Sequence, residues 1–130
     1  MIVVDASAVL ELLLNTPAGR AVGERLLDPG ESLHAPHLLD VEVLQVLRRY
    51  RRSGAFDDRR GREAIGDLMD LPLTRYPHQM FVERAWELRD SLTAYDAIYV
   101  ALAEGLAAPL VTRDRRLAAS RGHRARVELV

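Results

Sequence analysis

Two residue types are missing from this chain of 130 residues, which has no cysteine and no lysine. Without cysteine there is no disulfide, thiol nucleophile, zinc–thiolate site or iron–sulfur cluster, and such a composition is typical of a reducing compartment. Without lysine the chain cannot supply the residue that a P-loop places against phosphates. All 18 basic residues are therefore arginines, and the formal net charge is −1.

Long hydrophobic runs are lacking as well. The apolar stretch at residues 8–14 is interrupted by Glu11, and it is far shorter than the roughly 20 residues of a membrane-spanning helix. The share of hydrophobic residues, 48%, and of charged residues, 28%, is ordinary for a globular protein. We therefore expect a single domain over residues 1–130, no membrane partner and a cytoplasmic location.

Short apolar runs alternate with helical patterns along the chain, which is typical of an α/β fold. The first run, Ile2 to Val4, is too short for a helix and too apolar for an edge strand. It predicts a central strand of a parallel sheet, buried on both faces. Further strands are predicted at residues 33–35, 71–76, 109–112 and 126–130. A second helix is predicted between an N-cap at Thr16 and a stop at Pro29. The other helices are predicted at residues 6–14, 37–52, 57–70, 78–92, 92–105 and 114–120.

The helical patterns also predict where some side chains lie. Helix 37–52 is apolar on nearly its whole surface, so we expect it to be buried. We expect Trp86 to lie in the core and Asp40 to be solvated. Tyr95 and Tyr99 are interpreted as packing or dimer residues, because they lie at helical spacing.

Four acidic residues lie at the ends of elements or among apolar residues. Asp5 and Asp114 each follow an apolar strand, and Asp96 lies at the start of a helix. Glu42 lies inside the most apolar helix. Burying an ionised carboxylate there without a partner would cost roughly several kcal/mol, because the charge loses its hydration. These positions require either structural partners or a function.

Each acid has an ordinary structural explanation. Asp5, or its neighbour Ser7, and Asp114 fit the N-cap position of the helix that follows. Thr93-x-x-Asp96 fits a capping box, in which the threonine and the aspartate each satisfy a backbone donor. A buried arginine would be the structural partner of the glutamate inside the apolar helix.

The combined placement of the acids favours a functional site. In a right-handed parallel sheet, the strand ends and the starts of the following helices share one edge, where Asp5, Asp96 and Asp114 would meet. Glu42 lies one to two turns into its helix and can reach the same edge. A close like-charged pair costs about 4 kcal/mol, so such a cluster requires a cation or protons. Oxygen ligands favour Mg²⁺ or Mn²⁺, which can activate water for phosphodiester hydrolysis.

The segments around the acids resemble a known family. They read IVVDASAVL at Asp5, APHLLDVEVLQVLRR at Glu42, LTAYDAIYVALAE at Asp96 and PLVTRDRRL at Asp114. In this order, over residues 1 to about 118, they are similar to a PIN domain. More narrowly, the chain resembles the VapC toxins of bacterial toxin–antitoxin pairs.

The resemblance implies a three-layer α/β/α domain with a central, mainly parallel sheet. It implies an Mg²⁺-dependent endoribonuclease, in which Mn²⁺ can substitute and in which Asp5, Glu42, Asp96 and Asp114 are the catalytic and metal-binding residues. It also implies a homodimer, and inhibition by a cognate antitoxin whose C-terminal segment occupies the groove near the acids. RNA is then the substrate.

Other polar residues have supporting roles in this interpretation. Ser7 and Thr112 match polar positions that support the site in the family. The arginines that flank the last acid are candidate contacts for RNA phosphates: Arg113, Arg115 and Arg116. The ordinary alternative is that these arginines are exposed to solvent at the end of a helix. A second group of arginines ends the long apolar helix and is an alternative candidate for contact with RNA phosphates: Arg48, Arg49, Arg51 and Arg52.

Two other functions fit the same residues. An acidic groove could capture an arginine-bearing partner peptide without catalysis, or the metal site could cut DNA. Metal-dependent cleavage that is lost with Glu42→Gln separates a nuclease from a binding module. Competition between RNA and DNA substrates separates the two nucleases.

Overall fold

The computed structural model describes all 130 residues and contains five strands, seven α-helices and one 3₁₀ helix. The strands are β1 (Ile2–Val4), β2 (Leu33–Pro36), β3 (Leu73–Tyr76), β4 (Leu110–Thr112) and β5 (Val127–Leu129). The helices are α1 (Ala6–Leu13), α2 (Gly19–Leu26), α3 (Leu38–Ser53), α4 (Asp58–Asp70), α5 (Val82–Glu87), α6 (Ala94–Leu106) and α7 (Arg115–Ala118). The 3₁₀ helix spans His78–Phe81.

The strands form one sheet in the order β3-β2-β1-β4-β5, and every neighbouring pair is parallel. The middle strand, β1, pairs Val3 with His34 of β2 and with Leu110 of β4, and its three residues are fully buried. Helices α1 to α4 pack against one another, while α6 packs on β1 and β2 and is covered by α5. The predicted α/β/α fold and the buried central strand are confirmed.

The strand order places a crevice beside β1. From β1 the chain continues to β2 on one side of the sheet, whereas β4 returns on the other side. In a parallel sheet, such a reversal leaves an opening at the carboxyl ends of the two strands. Asp5 follows β1, and Asp114 lies two residues after β4. The topology therefore brings two of the four acids to the same opening.

The predicted beginning of the second helix was wrong. Helix α2 starts at Gly19, not after Thr16, and it has no side-chain cap. The Thr16 hydroxyl donates to the Glu11 carboxylate instead. A Cβ on Gly19 would lie 2.7 Å from the backbone carbonyl oxygen of Glu11, so only glycine allows α2 to approach α1 so closely.

Helix α3 is exposed along one side, although its sequence predicted a buried helix. Leu39, Val43 and Leu47 are buried, whereas Val41 is 63% exposed and Leu44 is 46% exposed. One face of α3 packs on the core, and its other side carries apolar residues without a neighbouring element to cover them. Contiguous apolar patches on a surface, unlike single exposed apolar residues, are typical of sites that bind other molecules.

Two further side-chain predictions were wrong. Asp40 is not simply solvated, because Arg75 of β3 donates to both of its carboxylate oxygens, at 2.8 and 3.0 Å. Trp86 is 68% exposed, and the Arg89 guanidinium lies 4.7 Å from the centre of its ring. The predicted helix 78–92 is divided into a 3₁₀ turn and the short α5. Trp86 therefore lies on the outer side of α5, although its neighbour Ala85 is buried.

None of the helices has both the length and the apolar character needed to cross a membrane.

Candidate active site

Asp5 is the most buried of the four acids, and it is held by three donors. It is 7% exposed and forms the N-cap of α1. Its Oδ1 accepts from the Ser7 hydroxyl at 2.7 Å and from the backbone N–H of Ala8 at 3.1 Å, while its Oδ2 accepts from the Thr112 hydroxyl at 2.7 Å. Burial raises the pKa of the Asp5 carboxyl, and the three donors partly oppose that rise. Asp5 therefore caps α1, as one explanation predicted, and Ser7 and Thr112 both lie within hydrogen-bond distance of its carboxylate.

The same two hydroxyl groups connect the ends of β1 and β4. The Thr112 hydroxyl accepts from the backbone N–H of Asp114 at 2.9 Å, and the Ser7 hydroxyl accepts from that of Arg113 at 2.9 Å. Asp114 is the N-cap of α7, with its Oδ1 accepting from the backbone N–H of Arg116 at 2.7 Å. This network fixes where the last acid lies relative to the first.

Asp96 lies in the first turn of α6, and its carboxylate forms fewer hydrogen bonds than those of Asp5 and Asp114. The Thr93 hydroxyl accepts from the backbone N–H of Asp96 at 3.2 Å. The Asp96 carboxylate does not accept from the backbone N–H of Thr93 in return, so only half of the predicted capping box forms. Burial raises the pKa of Asp96, and the charges of Asp114 and Asp5 raise it further, against a weaker effect of the Thr93 hydroxyl.

Glu42 projects from α3 toward the other acids. Its Oε1 is buried and has no hydrogen-bond partner, and no arginine pairs with it, so the structural explanation by a buried arginine was wrong. Burial raises the pKa of Glu42 to about 7, with contributions from the charges of Asp5 and Asp96. The hydroxyl of Tyr99 lies beside it and partly opposes that rise.

Tyr99 is a residue of the site that the sequence did not reveal. It is 1% exposed, so it does pack in the interior, but its hydroxyl lies beside Glu42. Burial raises the pKa of this hydroxyl, and the charges of Glu42 and Asp5 raise it further. The available signal was its spacing, because residues three apart lie on the same face of a helix and Tyr99 follows Asp96 by three.

The structure brings the four acids together. The charge of Asp114 acts on Asp5 and Asp96, and the charges of Asp5 and Asp96 act on Glu42. None of the four carboxylates forms a salt bridge, although the chain has 18 arginines. As the side chains stand, no three acidic or histidine groups are arranged to hold a metal ion. The four acids therefore form a cluster in which no carboxylate is paired with a cationic side chain.

The arginines that flank the last acid differ in their availability. The Arg113 guanidinium donates to the backbone carbonyl of Val130 and lies 3.7 Å from the Glu11 carboxylate. Arg115 and Arg116 are exposed on α7, and their guanidinium groups have no acidic partner. In the second group Arg51 pairs with Asp58, while its three arginine neighbours on α3 have no such partner.

An apolar surface lies next to the acids. A cavity of about 190 Å³ is lined by Leu38 of α3 and by Tyr95 and Ile98 of α6, close in sequence to Glu42 and Asp96. It adjoins a cavity of about 470 Å³ on α5, because both are lined by Ile98. Tyr95 is 62% exposed and therefore does not pack in the core. A contiguous apolar surface of this kind is typical of a site that binds another protein.

Comparison with known proteins agrees with this geometry. The PIN domain family model matches residues 2–122. Ribonuclease VapC12 of Mycobacterium tuberculosis is 48% identical over 130 residues, covering 100% of this chain and 99% of that protein. Ribonuclease VapC9 of the same organism is 50% identical over 117 residues, covering 90% of this chain and 88% of that protein.

Solved structures share the fold. The crystal structure of PAE2754 from Pyrobaculum aerophilum aligns with a TM-score of 0.70 and 28% identity, covering 97% of this chain and 81% of that one. A toxin–antitoxin complex from Klebsiella pneumoniae aligns with a TM-score of 0.65 and 20% identity, covering 92% of this chain and 91% of that one. The chain therefore belongs to the PIN domain family and, within it, to the VapC proteins.

Proposed function

We propose that this chain is an Mg²⁺-dependent endoribonuclease, the toxin of a toxin–antitoxin pair, with Asp5, Glu42, Asp96 and Asp114 at its metal site. One observation carries the proposal, namely that the charges of these four carboxylates act on one another and none of them has a cationic side chain as partner. Relatives of nearly the same length are named ribonucleases, which supports RNA as the substrate.

The donor atoms present fit a hard divalent cation. Asp5 Oδ2 has a single hydrogen-bond donor and keeps a lone pair, while Asp114 uses only Oδ1 for its helix cap. Glu42 Oε1 is buried without a donor, and the Asp96 carboxylate has no backbone donor. Carboxylate oxygens without sulfur or nitrogen ligands favour Mg²⁺ or Mn²⁺. When bound, such an ion supplies Lewis-acid activation of water and of the phosphodiester.

The protein groups supply position and charge. The hydroxyls of Ser7 and Thr112 fix the rotamer of Asp5, and Thr112 also holds the backbone of Asp114. Near neutral pH, the Glu42 carboxylate exchanges a proton in the metal-free protein, since its pKa is about 7, and the protonated fraction has less repulsion among the acids. The pocket can therefore exist without a cation and still accept one.

RNA and protein partners have separate surfaces in this proposal. Arg115 and Arg116 extend from α7 beside the pocket and are free to contact RNA phosphates, whereas Arg113 must first leave its contact with the Val130 carbonyl. A cognate antitoxin covers the acidic pocket, and two copies of the chain form a homodimer in the cytoplasm. Solved toxin–antitoxin complexes among the structural neighbours support an antitoxin as partner.

Asp96→Asn is a clean test of catalysis, because this carboxylate has no backbone hydrogen bond to lose. We expect purified protein to fragment total RNA with Mg²⁺ and to stop when EDTA is added. The rate should fall on the order of 100-fold or more in Asp96→Asn. Asp67→Asn, an exposed acid of α4 without an ion pair, is the matched control and should cleave like the wild type.

The other outcomes separate the alternatives. RNA cleavage that persists in EDTA or in Asp96→Asn would remove the metal site from the mechanism. Faster cleavage of DNA than of RNA would establish a DNA nuclease. Binding of an arginine-bearing peptide without cleavage of either nucleic acid would leave a binding module.

A further inference from the structure

Two polar atoms next to the acidic pocket are buried without a hydrogen-bond partner. One is Oε1 of Glu42, an acceptor, and the other is the hydroxyl of Tyr99, a donor. Most buried polar groups in proteins are paired, because leaving one unpaired costs about 1 to 3 kcal/mol. An unpaired acceptor beside an unpaired donor indicates that the two groups are suited to each other.

The surroundings leave few other partners for either group. Tyr99 belongs to α6 and Glu42 to α3, so their proximity brings together two helices that are distant in sequence. The hydroxyls of Ser7 and Thr112 already donate to Asp5. No arginine reaches Glu42. The Tyr99 hydroxyl is therefore the side-chain donor available to this carboxylate.

We propose that Tyr99 is a positioning residue, which donates its hydroxyl hydrogen to Oε1 of Glu42 and turns Oε2 toward Asp5 and Asp96. This inference rests on the proposed function, in which Glu42 acts at the metal. A hydrogen bond from behind orients a metal-binding carboxylate and restricts its rotamers. Because Asp96 lies one turn earlier on the same helix, α6 positions one acid directly and a second acid through Tyr99.

The test removes the hydroxyl alone, in Tyr99→Phe. We expect the dissociation constant for Mn²⁺, measured by titration calorimetry, to rise 10- to 100-fold, which is typical when a group that orients a metal ligand is lost. The KM for RNA should stay close to that of the wild type, because the hydroxyl is buried and does not face RNA. Tyr76→Phe is the matched control, since its hydroxyl contacts His34 in the sheet and should leave Mn²⁺ binding unchanged.

A double variant identifies the partner. Glu42→Met removes the acceptor and keeps most of the side-chain volume. In this background, Tyr99→Phe should weaken Mn²⁺ binding no further, and the two changes should also be non-additive in urea unfolding without metal. Equal Mn²⁺ affinity of Tyr99→Phe and wild type, or additive effects on unfolding, would overturn the inference.

The unfolding experiment also keeps the inference separate from the proposed function. A wild type that neither binds Mn²⁺ nor cleaves RNA would refute the nuclease, while the non-additivity without metal would still report on the pair. If Tyr99→Phe does not fold, a crystal structure of the wild type grown with Mn²⁺ decides. A hydroxyl beyond about 3.5 Å from Oε1 of Glu42 would rule out the hydrogen bond.

Discussion

Burial and hydrogen bonding treat the four carboxylates of the site differently. Asp5 is nearly inaccessible, but three donors compensate for the loss of water. Glu42 has a buried oxygen with no donor in place, and its pKa rises to about 7. The acid with the least hydrogen-bond support is therefore the one whose charge state changes near neutral pH.

This difference predicts how the stability of the metal-free protein depends on pH. Because the pKa of Glu42 is raised from 4.5 to about 7 in the folded state, the folded protein binds this proton more tightly than the unfolded chain. That contribution is fully present below the unfolded pKa and is lost as pH rises through 7. We expect urea unfolding in EDTA to show a loss of about 1 kcal/mol between about pH 5.5 and 8, less than the full pKa shift implies, because Glu42 is only half-buried and solvent screens its charge.

Glu42→Gln supplies the comparison, because glutamine does not titrate. The variant should lose less stability over the same interval, although Asp5 and Asp96 still contribute in the same direction because their pKa values are also raised. Parallel curves for wild type and variant would show that Glu42 does not carry the pH dependence.

At the scale of elements, α5 and α6 are joined by a buried carboxylate far from the acids of the site. The Glu104 side chain is 6% exposed and accepts from the Arg84 guanidinium at 2.8 and 3.0 Å. It also accepts from the backbone N–H of Arg124 at 2.8 Å, which fixes the segment before β5. The Arg84 guanidinium lowers the pKa of Glu104, so this carboxylate is ionised at neutral pH. Asp5, Glu42 and Asp96 differ from it, because their pKa values are raised.

Glu104→Ala should therefore affect stability and not catalysis. We expect the free energy of unfolding to fall by about 2 kcal/mol, less than for a fully buried pair because Arg84 is 29% exposed. RNA cleavage per folded molecule should stay at the wild-type level. Glu63→Ala removes surface pairs with Arg59 and Arg60 on α4 and should change stability by less than about 0.5 kcal/mol. Equal effects of the two variants on thermal unfolding would contradict this assignment.

At the scale of the whole molecule, the fold gathers negative charge in a chain that is almost neutral. The net charge is −1, yet the arginines neutralise acids elsewhere and leave the pocket unpaired. A cation that binds only the folded state stabilises it by about 2.7 kcal/mol at a concentration 100 times its dissociation constant. The protein should therefore gain stability from the ion that it is proposed to use.

We expect Mg²⁺ or Mn²⁺ to raise the melting temperature of the wild type in a concentration-dependent manner. Asp96→Asn should melt higher than the wild type in EDTA, because it relieves repulsion with Asp5 and Asp114, and it should respond less to either ion. Differential scanning fluorimetry measures both effects. A melting temperature that stays constant up to millimolar concentrations of both ions would argue against a cation site.

The sequence by itself determined the alternation of strands and helices, the buried first strand and the acids at the ends of elements. These features depend on hydrophobic periodicity and capping, which are local, so the bounds of α3, α4 and α6 differ from the predicted bounds by only one or two residues. Even the family resemblance depends on short segments in a fixed order.

The tertiary structure decided which faces are covered and which groups meet. Trp86 and Val41 are exposed, Asp40 pairs with Arg75, and the Tyr99 hydroxyl lies against Glu42. The exposure or pairing of each of these residues depends on whether an element that is distant in sequence packs against it. Helical periodicity specifies a face of a helix, but only the packing of the whole chain specifies what lies against that face.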